Sequence, residues 1–137
     1  MLIEAQSSHV YRLSNRASDE YFIDEGAPDK RGLLIYHHGT PAAGPMQQDL
    51  LLAARASNLQ AVEVVRPGYG SSTRQVGRIV ADIVPSVVEL ADHLGHETFV
   101  TLGWSGGGPH AIATLALARG RCRAAISQAW RRTTRPG

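Results

Sequence analysis

A serine stands among glycines in the stretch Gly103-Trp104-Ser105-Gly106-Gly107, directly between an apolar run and a helical pattern. Small flanking residues permit a sharp turn there, which lifts the Ser105 hydroxyl above the end of the preceding strand. The amides that open the following helix favour negative charge at the same place. These residue types suit acyl transfer by a nucleophilic serine, which is weak alone and needs a general base beside it. The oxyanion of such a reaction needs two preorganised N–H donors. The backbone of Gly106, just after the nucleophile, is expected to supply one. The backbone of Thr40, in the turn His38-Gly39-Thr40-Pro41 that ends an earlier strand, is expected to supply the other. Pro41 has no N–H but stiffens that loop. The five-residue serine pattern is weak by itself, and two ordinary glycine turns are the plain alternative. Its place between strand and helix gives it weight.

Such turns require a scaffold that ends several strands at one edge, and the rest of the chain reads that way. Residues 8–14 and 19–24 read as two short strands, followed by a turn at Gly26, Pro28 and Asp29. The apolar run 32–36 reads as a strand covered on both faces. Met46, Leu50, Leu51 and Ala54 lie at helical spacing within 46–58, and 61–65 returns to strand before Arg66-Pro67-Gly68-Tyr69-Gly70 breaks it. Residues 76–94 give the longest amphipathic pattern, with Val76, Ile79, Val80, Ile83, Val87, Leu90, Ala91 and Leu94 on one side. Pro85 is expected to kink that helix. A strand at 98–102, a helix at 107–119 and a weaker strand at 123–127 complete the order. From residue 33 onward the alternation β-α-β-α-β-α-β implies an α/β fold, a mainly parallel sheet with helices on both faces.

The remaining polar candidates have plainer roles. His37 and His38 suit organisation of the oxyanion loop more than a role as catalytic base. His110 suits local packing or hydrogen bonding, and His93 and His96 suit the solvated C-terminal end of a helix. His9 has no evident partner. Arg66 is expected to fix loop geometry, with an anionic substrate group as the alternative. Cys122 reads as a small buried residue at a strand start. Trp104 either lines an acyl pocket or seals the core.

Composition narrows the class. The chain has 137 residues, of which 43% are hydrophobic and 19% charged, as a folded core requires. Its net charge of +2 owes much to Arg131, Arg132 and Arg135; the body without them holds eleven basic and twelve acidic residues. A near-neutral body argues against a nucleic-acid partner. No apolar run approaches the roughly 18 residues of a membrane span. The opening MLIEAQSSHV lacks the regions of a signal peptide, so a cytoplasmic location is expected. Cys122 is the single cysteine, and no Cys/His spacing suits a metal, so neither metal nor organic cofactor is expected.

Taken in order, strand–HHGTP, strand–RPGYGSS and strand–GWSGGGPHA resemble the first half of an α/β-hydrolase-fold enzyme, over roughly residues 8–127. The resemblance implies a serine hydrolase acting on carboxylic esters, amides or related small-molecule acyl compounds through an acyl-enzyme. Serine at position 105 argues against a haloalkane dehalogenase, where the resemblance would require aspartate. The family's triad runs Ser, then Asp or Glu, then a late His, whereas this sequence holds only His110 and no acidic residue after Ser105. Residues 1–127 therefore read as a partial α/β-hydrolase core with little turnover. An exposed sheet edge is expected to invite self-association. Residues 128–137 read as an irregular tail in a shifted reading frame, with a deliberate truncation or an odd natural end as alternatives. A non-catalytic module that holds a small ligand in the same pocket is the competing function.

Overall fold

The computed structural model describes residues 5–41 and 43–128. Two strands near the start, β1 (Gln6–Arg12) and β2 (Ser18–Asp24), form an antiparallel hairpin. Four more follow: β3 (Gly32–His37), β4 (Leu59–Val64), β5 (Phe99–Trp104) and β6 (Cys122–Gln128). These four are mutually parallel, and β2 joins them antiparallel along β4, giving a six-stranded sheet in the order β1-β2-β4-β3-β5-β6. Helices α1 (Gln48–Ala56), α2 (Ile83–His93) and α3 (Gly108–Leu117) connect the parallel strands, as the alternating pattern requires.

Strand alternation divides the core in two. Leu33 and Ile35 of β3 join Val84, Val87 and Leu90 of α2 on one face. Leu34 and the half-buried Tyr36 join Leu51 and Ala54 of α1 on the other. The end of α1 is pinned to β2 by Arg55, which donates to both carboxylate oxygens of the fully buried Asp24 at 2.8 and 2.6 Å. Burial alone would raise the Asp24 carboxyl, but the Arg55 hydrogen bonds hold it below its ordinary value. Between the central strands, the Thr101 hydroxyl of β5 donates to the Ile35 carbonyl of β3 at 2.9 Å, across 66 positions of sequence.

The helix read over 76–94 is shorter than its apolar spacing suggests. Val76 and Ile79 are 85% and 64% exposed, Gly77 has a φ of +74°, and a single 3-10 turn at Val80–Asp82 precedes α2. Pro85 explains the boundary. Inside a longer helix its ring would meet the Ala81 carbonyl, and it offers no N–H to bond it. It stands instead in the first turn of α2, where that donor is not needed, and introduces no mid-helix kink. Likewise α1 begins after Met46, which is buried against it from the preceding loop. The last strand reaches Gln128, one residue into the stretch read as tail; the rest of that tail lies outside the described residues. On β6, Ile126 is 61% exposed, and α3 presents Ile112 and Leu117 outward. Among the described residues no helix is long and apolar enough to cross a membrane, and no group of His, Cys, Asp or Glu could hold a metal ion.

Candidate active site

Ser105 follows β5 immediately and is exposed, with a φ of +50°. A non-glycine residue in this region is strained, and such strain persists only where its surroundings enforce it. The enforcement is visible in two neighbouring glycines. A Cβ on Gly103 would sit 2.3 Å from the Gly107 carbonyl oxygen, and one on Gly107 would sit 2.1 Å from the His37 carbonyl oxygen. Main chain packs on main chain there, so the turn folds back onto the end of β3. After the 3-10 turn Ser105–Gly107, α3 starts at Gly108 with Pro109 in its first turn.

The same packing brings the Thr40 loop over the serine turn. The Thr40 hydroxyl and backbone nitrogen lie 2.7 and 3.5 Å from the place a Gly106 Cβ would take. The side-chain direction of Gly39 ends 3.6 Å from the Ser105 Cβ. Thus Ser105, Gly106 and Thr40, 66 positions apart at the extremes, meet at one edge of the sheet.

Arg66 holds this loop. It is 1% exposed, and its guanidinium donates to the His38 carbonyl, to the Gly39 carbonyl at 3.3 Å and to the Thr40 hydroxyl at 3.4 Å. Its backbone N–H donates to His38 Nε2 at 3.1 Å, which leaves His38 Nδ1 to donate to the Gly39 carbonyl at 2.7 Å. Both ring nitrogens of His38 are therefore engaged and the ring is neutral. Of the two readings of Arg66, loop fixation is the one its contacts serve.

The other histidines near the serine are also committed or buried. His110 Nδ1 donates to the Gly106 carbonyl at 3.0 Å, and its ring stacks on that of His37 with centroids 6.2 Å apart. Among the described residues neither nitrogen of His37 has a protein partner, nor does His110 Nε2. Burial pushes His37 down to about 3 and His38 and His110 down to about 4, with the Arg66 charge adding to the effect on each. Of the more distant histidines, His9 and His93 lie at the surface, whereas His96, read as solvated, is half-buried and burial lowers its pKa. His93 is exposed and stacks on Tyr11, while His9 finds partners the sequence did not suggest, Ser7 at 2.8 Å and the ring of Tyr21. Cys122 is buried at the start of β6.

Trp104 neither seals the core nor stands free. It is 50% exposed and shares a cavity with Tyr36, Gln47 and Glu63 beside the Thr40 loop. Glu63 was missed at the level of sequence, although it is the one charged residue in the apolar run Ala61-Val62-Glu63-Val64-Val65.

No protein-family model and no curated protein matches the chain. Solved structures do resemble it. A hydrolase from Pseudomonas aeruginosa superposes with a TM-score of 0.73 at 24% identity, over 88% of this chain and 45% of its own. An epoxide hydrolase from Vigna radiata gives 0.74 at 16% identity, over 90% of this chain and 40% of its own. A membrane phospholipase A gives 0.68 at 23% identity, over 89% and 39%. The chain spans less than half the length of each of these proteins. The fold they share with it is that of the α/β hydrolases, of which this chain carries the N-terminal half.

Proposed function

We propose that this chain, the N-terminal half of an α/β-hydrolase fold, carries the nucleophile and oxyanion site of a serine hydrolase acting on esters, amides or related acyl compounds. The observation that carries the reading is the strained Ser105, exposed at a strand–helix turn with the Thr40 loop packed against Gly106. In this reading the Ser105 hydroxyl attacks the acyl carbon, and the backbone N–H groups of Gly106 and Thr40 receive the developing oxyanion. The acyl-enzyme bond forms as the leaving group departs with a proton. The similar structures bear names as different as epoxide hydrolase and phospholipase A, so the acyl preference rests on Ser105 and not on the fold.

Turnover by this chain is expected to be slow. A base must accept the Ser105 proton, yet His38 is hydrogen-bonded through both nitrogens and His37 is fully buried. His110 spends Nδ1 on Gly106. A fluorophosphonate probe tests the nucleophile without requiring turnover: the Ser105 oxygen bonds to phosphorus, fluoride leaves, and the hydroxyl proton passes to solvent. Labelling that disappears in Ser105→Ala supports the reading; no labelling of the folded chain would overturn it. The engaged histidines also favour a second reading, a small-ligand-binding module without catalysis. Ligands that raise the melting temperature of an unlabelled chain would support that one.

A further inference from the structure

On the α1 side of the sheet, below the Thr40 loop, lies a cavity of about 310 Å³ lined by Tyr36, Gly39, Met46, Gln47, Glu63 and Trp104. Strand register explains the gathering. Tyr36 of β3 is paired with Glu63 of β4 on one side and with Leu102 of β5 on the other, and Trp104 follows Leu102 on the same face. The cavity adjoins the serine turn through Gly39, whose side-chain direction ends 3.1 Å from the Trp104 ring and 3.6 Å from the Ser105 Cβ.

Glu63 is out of place in this wall by ordinary rules. It is 2% exposed, and among the described residues its one hydrogen bond is from the Gly44 N–H at 3.4 Å. None of the ion pairs among the described residues involves it. Arg66 acts on it only through its field, because the guanidinium donors are committed to His38, Gly39 and Thr40. A buried carboxyl without a counter-charge is costly, and burial pushes this one up to about 8. In the free chain a proton on the carboxyl avoids that cost; a cation entering the cavity would favour the ionised carboxylate instead, its proton passing to solvent as the cation binds. Aromatic rings lining the same space attract cations as well.

We propose that this cavity binds the protonated amine of a small organic ligand, its ammonium N–H groups donating to the Glu63 carboxylate between Tyr36 and Trp104. The volume is at the low end for small-molecule sites, which suits an amine with one ring or a short aliphatic body. Binding requires no chemistry at Ser105. If the serine reading also holds, the amine belongs to an acyl substrate whose reactive bond lies beside it.

The full chain tests this with benzylammonium and its neutral analogue benzyl alcohol at neutral pH. Trp104 fluorescence reports binding in a Trp130→Phe background, since the sequence has two tryptophans. Benzylammonium should bind at least about ten-fold more tightly than the alcohol, as a charge-assisted hydrogen bond in a dry site implies. Glu63→Gln, similar in shape but uncharged, should bind the two ligands about equally. Tyr36→Leu, read by ligand-induced melting shifts, should weaken benzylammonium and leave the alcohol less affected. It serves as the second variant should Glu63→Gln not fold. The charge preference should persist in Ser105→Ala, so failure of the nucleophile reading leaves the amine site intact. Equal binding of the two ligands by the parent chain, no saturable binding of either, or a preference retained in Glu63→Gln overturns the proposal.

Discussion

The edge of the sheet where β3 and β5 end and the margin formed by β6 and α3 belong to one sheet, yet they are held in opposite ways. At the first, main chain rests on main chain, Gly107 on His37 and Gly103 on Gly107, and Thr40 packs against Gly106. Arg66 ties the loop down through three acceptors. At the second, Ile126, Ile112 and Leu117 turn more than half of their surface outward. Strand pairing continues to the last strand, but most of its side chains are exposed. Precision in this molecule is thus concentrated where backbone is over-determined, and tolerance where only side chains are at stake.

The strongest way to break that contrast is Gly107→Val. The new side chain would collide with the His37 carbonyl, which is backbone and cannot swing away. A loss of about 3 kcal/mol or more is expected in urea unfolding, together with loss of probe labelling. Next comes Arg66→Met, which keeps much of the buried stem and strips the loop of its donors. It should cost about 2–3 kcal/mol and slow labelling of Ser105, while Arg66→Lys recovers part of the rate. Unchanged labelling in Arg66→Met would mean that the loop holds itself.

Acidity probes the same edge more gently. His37, His38 and His110 take up protons when unfolded, near pH 6.5, but resist them when folded until about pH 3–4. Their contribution is therefore complete above about pH 6.5 and is lost as the pH falls toward 4. Glu63 works in the other direction. Facing Gly44, with the charges of Arg66 and Glu20 acting on it, it keeps its proton up to about pH 8, whereas the unfolded chain releases it near 4.5. Its contribution is lost as the pH rises through that interval. Stability should peak near pH 6.5–7, and Glu63→Gln should flatten the alkaline side of the curve. A denaturant midpoint that climbs steadily to pH 8 would contradict this balance. The smallest effect belongs to the margin. Ile126→Lys should leave stability within about 0.5 kcal/mol and reduce any self-association seen by sedimentation.

Much of this was legible in the sequence because it depended on local pattern. Apolar runs marked the strands, and glycine-rich turns marked the sites of Ser105 and Thr40. Two features were not. The apolar spacing that begins at Val76 matches a helical face as well as that of α2, and only Pro85, with its demand on Ala81, shows where the helix must start. Glu63 looked like one charge in a strand; its meaning comes from Tyr36 and Trp104, brought beside it by pairing across three strands. Long-range register carries information that no window of sequence contains.

The Thr101–Ile35 hydrogen bond joins the strands that end in the two turns, across 66 positions. Kinetically, this places the site among the last parts of the chain to come into being. Contacts so far apart must first overcome the entropy of closing a long loop, and folding rates fall as such contacts dominate. The hairpin β1–β2, closed by a short turn, has no such barrier. During refolding, Ser105 should thus acquire its strained form only when the central strands have docked. The serine then serves as a clock for the slowest step of its own assembly.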